Sequence, residues 1–102
     1  KKDLLLNILK KFKIEKIDLL KIDTEGHEFN VIKGAGNFLK NINLLLFEFH
    51  YDDSIIKKYN FNDVNNFLKK NNFILISKNK MILRKGYELI YKNNNFIKRK
   101  FN

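Results

Sequence analysis

Apolar positions along the chain fall into helix-spaced stripes and into short unbroken runs. Behind Asp3, a suitable N-cap, Leu5, Ile8, Leu9 and Phe12 recur at helical spacing and predict a short amphipathic helix over 4–12. Residues 17–22, IDLLKI, form an apolar run rich in β-formers that stops at the turn signal Asp23-Thr24-Glu25-Gly26. From His27 to Lys40, the positions Phe29, Ile32, Ala35 and Leu39, with Val31 and Phe38 alongside, predict a second helix. Gly34 and Gly36 weaken it but let it lie close to a sheet. NLLLFEF, residues 43–49, is nearly unbroken in its hydrophobicity. A third helix opens at Asn62 with Val64, Phe67 and Leu68 on one face, and FILIS, residues 73–77, reads as a strand. Residues 80–84 and 87–91 are weaker strands separated by Lys85-Gly86, and the polar, basic tail 93–102 is expected to fray.

Continuous rather than alternating hydrophobicity predicts strands buried on both faces, as in a parallel sheet. Two of them with a helix between make a βαβ unit, whose crossover is expected to be right-handed. The later strands lie too close in sequence for another crossover and are expected to pair antiparallel. The prediction is one α/β domain over residues 1–102, a parallel βαβ followed by an antiparallel hairpin, without internal repeat or linker.

Composition narrows the function classes. The chain has 102 residues, enough for one small domain, and a hydrophobic share of 44% with ten Phe supports a real core. The absence of Cys excludes a disulfide framework, a thiolate zinc site and a cysteine nucleophile. The longest apolar runs, Leu4–Leu6 and Leu44–Phe47, are far too short to span a bilayer. The opening KKDLLLNILKKFK resembles a leader, but Asn7 interrupts its apolar stretch and no small-residue cleavage site follows, so a cytoplasmic location is expected. The only Met is Met81, so the chain is expected to be a piece of a longer protein.

A formal charge of +10 invites a nucleic-acid reading. The richness in Lys, Asn, Ile and Phe, which share A- and T-rich codons, accounts for much of that charge without a nucleic-acid partner. Its distribution says more: residues 1–16 carry +4, residues 17–53 carry −4 and residues 54–102 carry +10. The alternative function is therefore a small basic nucleic-acid-binding module over 54–102, interleaved with Tyr87, Tyr91, Phe96 and Phe101. Both His and most of the acids fall instead in the net-negative middle.

In open α/β sheets, ligands bind outside the carboxyl ends of the parallel strands. Asp23 to Glu28 follows the first predicted strand and Glu48 to Asp53 ends the second, so acids and both His share one rim. Each has a plain structural role open to it. Asp23 or Thr24 can cap the next helix, Glu25 and Glu28 can complement its positive end, Gly26 can serve a tight turn and His27 can be merely solvated. Glu48 is harder to dismiss, because a carboxylate in an apolar strand is costly unless it finds a partner or solvent. Asp23, Glu25, His50, Asp52 and Asp53 are hard-cation ligand types, but no spacing among them identifies a metal site.

The segment Ile17 to Glu28, continuing through Val31-Ile32-Lys33-Gly34-Ala35, resembles the signature of the FkbM-type methyltransferase family, approximately DLLKIDxEGxExxVLKGA followed by a strand ending in Glu, here Glu48. The resemblance covers residues 17–49. It implies a class I, S-adenosylmethionine-dependent methyltransferase with a Rossmann-like sheet whose last strand is antiparallel, most often methylating hydroxyls of sugars or natural products. Residues 17–22, 43–49 and the final hairpin would then be the fourth, fifth, and sixth and seventh strands. One departure is large: the glycine-rich loop after the family's first strand, and the acid ending its second, are absent here. The chain therefore resembles the carboxyl-terminal half of the family domain, and cofactor binding is expected to require the amino-terminal half. A non-catalytic remnant is the further alternative.

Methyl transfer to a hydroxyl needs the acceptor oxygen held close to the methyl carbon and its proton removed. The expected catalytic residues are Asp23, as base or orienting acceptor, Glu25, and His50, whose side-chain type titrates near neutrality. The expected cofactor-binding residues are Asp23, Gly26 and Glu48. The family pattern supports the Asp23–Glu25 segment and Glu48, whereas His50 rests on its position alone. The expected partner is a small-molecule or glycan acceptor, with no membrane.

Overall fold

The computed structural model describes residues 4–23, 27–50, 59–83 and 85–96. In chain order the elements are α1 (Leu4–Lys11), β1 (Ile17–Ile22), α2 (Glu28–Ala35), a 3-10 turn (Gly36–Asn41), β2 (Ile42–His50), α3 (Phe61–Lys70), β3 (Phe73–Lys80) and β4 (Gly86–Asn93). The strands form one sheet in the order β1-β2-β4-β3. β1 and β2 are parallel, while β4 runs antiparallel to both β2 and β3. The fold is thus mixed α/β, with one parallel pair as expected.

Side-chain alternation gives the sheet two unlike faces. One carries Leu45, Phe47 and Phe49 of β2 with Leu89 and Tyr91 of β4, each almost fully buried. Helices α2 and α3 bring Phe29, Ile32, Ala35, Val64 and Leu68 to this core. Each of the larger side chains contributes about 1.5–3 kcal/mol on burial. Phe47 stacks on Tyr91 with ring centres 5.7 Å apart, and the Tyr91 hydroxyl donates to Asn65 Oδ1 at 2.8 Å. Tyr91 is therefore a core residue, not part of an aromatic nucleic-acid surface.

The other face stays open. Leu19 is 53% exposed, Ile74 45% and Ile76 52%, and Leu44, Leu46 and Ile90 between them are only half-buried. The unbroken hydrophobicity of residues 43–49 predicted burial on both faces; among the described residues, helices cover one. α1 departs similarly. Only Leu9 of its apolar stripe is buried, while Ile8 and Phe12 are exposed.

Other boundaries differ for local reasons. α2 stops at Ala35 because Gly36 turns to a positive φ of 54°, and the chain tightens into the 3-10 turn instead of running as one helix to Lys40. α3 starts at Phe61, before Asn62, because Asn60 and Asp63 form a reciprocal capping box with both bonds at 2.9 Å. β3 runs on to Lys80 through an irregularity between Leu75 and Ser77, and pairs with β4 from Tyr87 to Asn93. No separate strand forms over 81–83, and residue 84 of the expected strand lies outside the described residues; the antiparallel pairing expected there belongs to β3 and β4. Asn93, assigned to the fraying tail, is 2% exposed, and its amide donates to the Leu39, Lys40 and Ile42 carbonyls. It ties the end of β4 to the start of β2.

Candidate functional site

β1 and β2 are parallel, so their carboxyl ends meet on one rim. Ile22 pairs with Phe47, and the register continued by one residue sets Asp23 beside Glu48. Across β2, Glu48 stands directly opposite Glu88 of β4, and His50 opposite Gly86. Strands pair at about 4.8 Å, so Glu48 and Glu88 lie side by side on the open face, with Asp23 in line just past the end of β1 and His50 one step beyond Glu48.

His50 and Glu48 come together. His50 Nε2 lies 3.3 Å from Glu48 Oε1, with the His50 side chain 1% exposed and the Glu48 side chain 40% exposed. The approach lacks hydrogen-bond alignment, and neither ring nitrogen has a hydrogen-bond partner among the described residues. Most buried polar atoms are satisfied, so two nitrogens without hydrogen bonds on one buried ring single out His50 within this fold. Gly86 makes the space: a β-carbon there would lie 2.7 Å from the Phe49 carbonyl oxygen and 3.0 Å from His50 Nδ1.

Asp23 is exposed at the tip of β1 and does not cap α2. The N-cap position is His27, which makes no side-chain capping bond and is exposed, as a solvated histidine should be. Glu25 and Gly26, and with them Thr24, Asp52 and Asp53, lie outside the described residues. Among the described residues no three His, Asp or Glu converge to hold a metal ion.

Glu28 has a role that the sequence did not disclose. It opens α2, is 2% exposed, and accepts a hydrogen bond of 3.0 Å from the Tyr59 hydroxyl. Burial pushes the Tyr59 hydroxyl pKa well up, and the negative charge of Glu28 pushes it further. Tyr59 sits among rings, 5.2 Å from Phe29 and 6.2 Å from Phe49. Phe49 in turn meets Phe61 at 6.0 Å. This cluster fastens the start of α2, the end of β2 and the start of α3 beneath the rim. The signal was thin, because Tyr59 is 31 residues from its acid partner and belongs to no regular element.

The basic half of the chain uses some of its charge internally. The Lys78 ammonium lies 4.6 Å from the Phe61 ring centre and 4.5 Å from that of Tyr87. No helix among the described residues is long and apolar enough to cross a membrane.

No curated protein and no solved structure matches the chain significantly. The profile of the methyltransferase FkbM domain matches residues 3–75, which takes in Asp23, Glu28, Glu48, His50 and Tyr59 and stops short of Gly86 and Glu88. That match spans well over half of the 102 residues, and the chain belongs to the FkbM methyltransferase family.

Proposed function

We propose that this chain is the acceptor-side half of an S-adenosylmethionine-dependent O-methyltransferase acting on a sugar or natural-product hydroxyl. The observation that carries the reading is the pairing of buried, orphaned His50 with Glu48 at the carboxyl end of the parallel strands, inside a chain of this family. Strand order β1-β2-β4-β3 with an antiparallel β4 supports assignment to the second half of a Rossmann-like class I sheet.

The cofactor, when bound, supplies an electrophilic methyl group. The residues present suit the acceptor better than the cofactor body. His50 and Glu48 can manage a proton, and Asp23 is exposed to accept from a hydroxyl. The chain offers only four glycines, in no phosphate-loop or nucleoside-loop arrangement. The cofactor is therefore assigned to a preceding half-domain. That half would pair with the free edge of β1 and cover the open face at Leu19, Leu46 and Ile76, since a parallel pair is normally covered on both sides.

In this reading His50 takes the proton from the acceptor hydroxyl and Glu48 stabilises the resulting imidazolium. Asp23, whose type and position first pointed to it as base, is the hydroxyl-orienting group, because it is exposed and His50 is the orphaned one. Glu25, expected to be catalytic, and Gly26, expected to bind the cofactor, lie outside the described residues and enter this reading from the sequence alone. Titration calorimetry tests the division of labour. The 102 residues alone should bind S-adenosylmethionine no tighter than millimolar, and the chain joined to its preceding half should bind it at micromolar levels; submicromolar binding by the chain alone overturns the assignment.

A further inference from the structure

Glu88 belongs to neither the family match nor the sequence motif, yet it stands directly across the ladder from Glu48. Like charges facing each other across an antiparallel pair are destabilising. The chain carries 21 Lys and Arg, yet among the described residues none makes an ion pair with Asp23, Glu48 or Glu88. A second, independent feature faces the same row: His50, 1% exposed, has both ring nitrogens without a hydrogen-bond partner and Nε2 turned toward Glu48. Two facing carboxylates without a Lys or Arg beside them, next to a buried imidazole without hydrogen bonds, point to compensation from a ligand.

We infer that the row Asp23–Glu48–Glu88 recognises a protonated amine on the acceptor, so that the substrate is an amine-bearing polyol, with Glu88 a specificity-determining residue. The inference deepens the acceptor-side reading above and rests on it. Acids spaced by strand separation, about 4.8 Å apart across three strands, suit donors spread along a sugar-sized molecule more than one point ion. Consistently, no three ligating side chains converge among the described residues. A neutral polyol would satisfy lone pairs but leave the Glu48–Glu88 repulsion in place, and a phosphorylated or carboxylated one would add to it. An ammonium neutralises the pair through charge-assisted hydrogen bonds. His50 completes the site as the group facing the neighbouring hydroxyl.

The test needs no cofactor. The chain with labelled histidine is titrated with glucosamine, glucose, glucose 6-phosphate and magnesium ion while the His50 ring resonances are followed by NMR. Glucosamine should shift them saturably, glucose should need at least about tenfold more, and the phosphate and the metal should leave them unmoved. Glu88→Gln should weaken glucosamine about tenfold. In a parallel thermal melt, the same variant should raise the ligand-free midpoint by about 2–4 °C, because it removes the repulsion. The inference is overturned if glucosamine leaves His50 unmoved, if glucose or magnesium matches it, or if Glu88→Gln binds as the wild type and melts no higher. Cofactor binding by the joined halves, measured without any amine, would stand or fall separately.

Discussion

Gly86 faces His50 across the β2–β4 ladder, and the missing side chain at 86 is what lets the imidazole lie buried there. The nearest obstacle to a β-carbon is the Phe49 carbonyl oxygen at 2.7 Å, which is backbone and cannot swing aside. Gly86→Ala should therefore cost about 1–3 kcal/mol, read as a lowered melting temperature, and should displace the His50 ring resonances. A melt unchanged from wild type would mean that the end of the ladder yields more easily than its packing implies.

Tyr59→Phe keeps the ring among Phe29 and Phe49 but removes the donor to buried Glu28. Loss of one partner of a buried carboxylate should cost about 1–3 kcal/mol, measured by denaturant melts. Replacing both, Tyr59→Phe with Glu28→Gln, should cost less than the sum of the singles, because the two share one interaction.

Alkaline stability follows from two tyrosines. Burial raises the Tyr91 hydroxyl pKa, and burial together with Glu28 raises that of Tyr59. In the unfolded chain both ionise near pH 10, so above that pH the folded state holds protons the unfolded state has lost. Their contribution is fully present below about pH 10 and drains away as pH rises toward the folded values. Tyrosinate absorbance should show these two ionising together with unfolding, and Tyr91→Phe should flatten the alkaline fall while losing about 0.5–1.5 kcal/mol of hydrogen bond to Asn65 at neutral pH.

Asn93→Ala should open the junction between the 3-10 turn and β2, since one amide serves the Leu39, Lys40 and Ile42 carbonyls. The expected loss is about 1–3 kcal/mol, with faster amide exchange across Gly36–Ile42 than elsewhere in the sheet.

Much of this arrangement was legible in the residues where one physical signal dominates. IDLLKI becomes β1 from Ile17 to Ile22, because an apolar β-rich run ending in a turn signal has few other solutions. Phe29, Ile32, Ala35 and Leu39 are buried as their spacing predicted. What stayed hidden depends on pairing across the fold. Glu88 gains meaning only from the register that sets it opposite Glu48, and Gly86, which looked like turn punctuation, is the partner of His50. Asn93 looked like tail because its three acceptors are more than fifty residues away. The start of α3 was legible one step earlier than Asn62, because Asn60 and Asp63 have the spacing of a capping box. The open face could not be foreseen from β2, whose run of leucines reads the same whether one side is covered or both.

His50, buried with neither ring nitrogen hydrogen-bonded and Nε2 3.3 Å from Glu48, is the proposed base of the methyl transfer. The most direct measurement is transfer of labelled methyl from S-adenosylmethionine to an acceptor hydroxyl, by this chain joined to its preceding half, in wild type and His50→Ala. In His50→Ala kcat should fall about 10²–10⁴-fold, with cofactor affinity within about twofold of wild type. Wild-type turnover by His50→Ala would remove His50 from the chemistry.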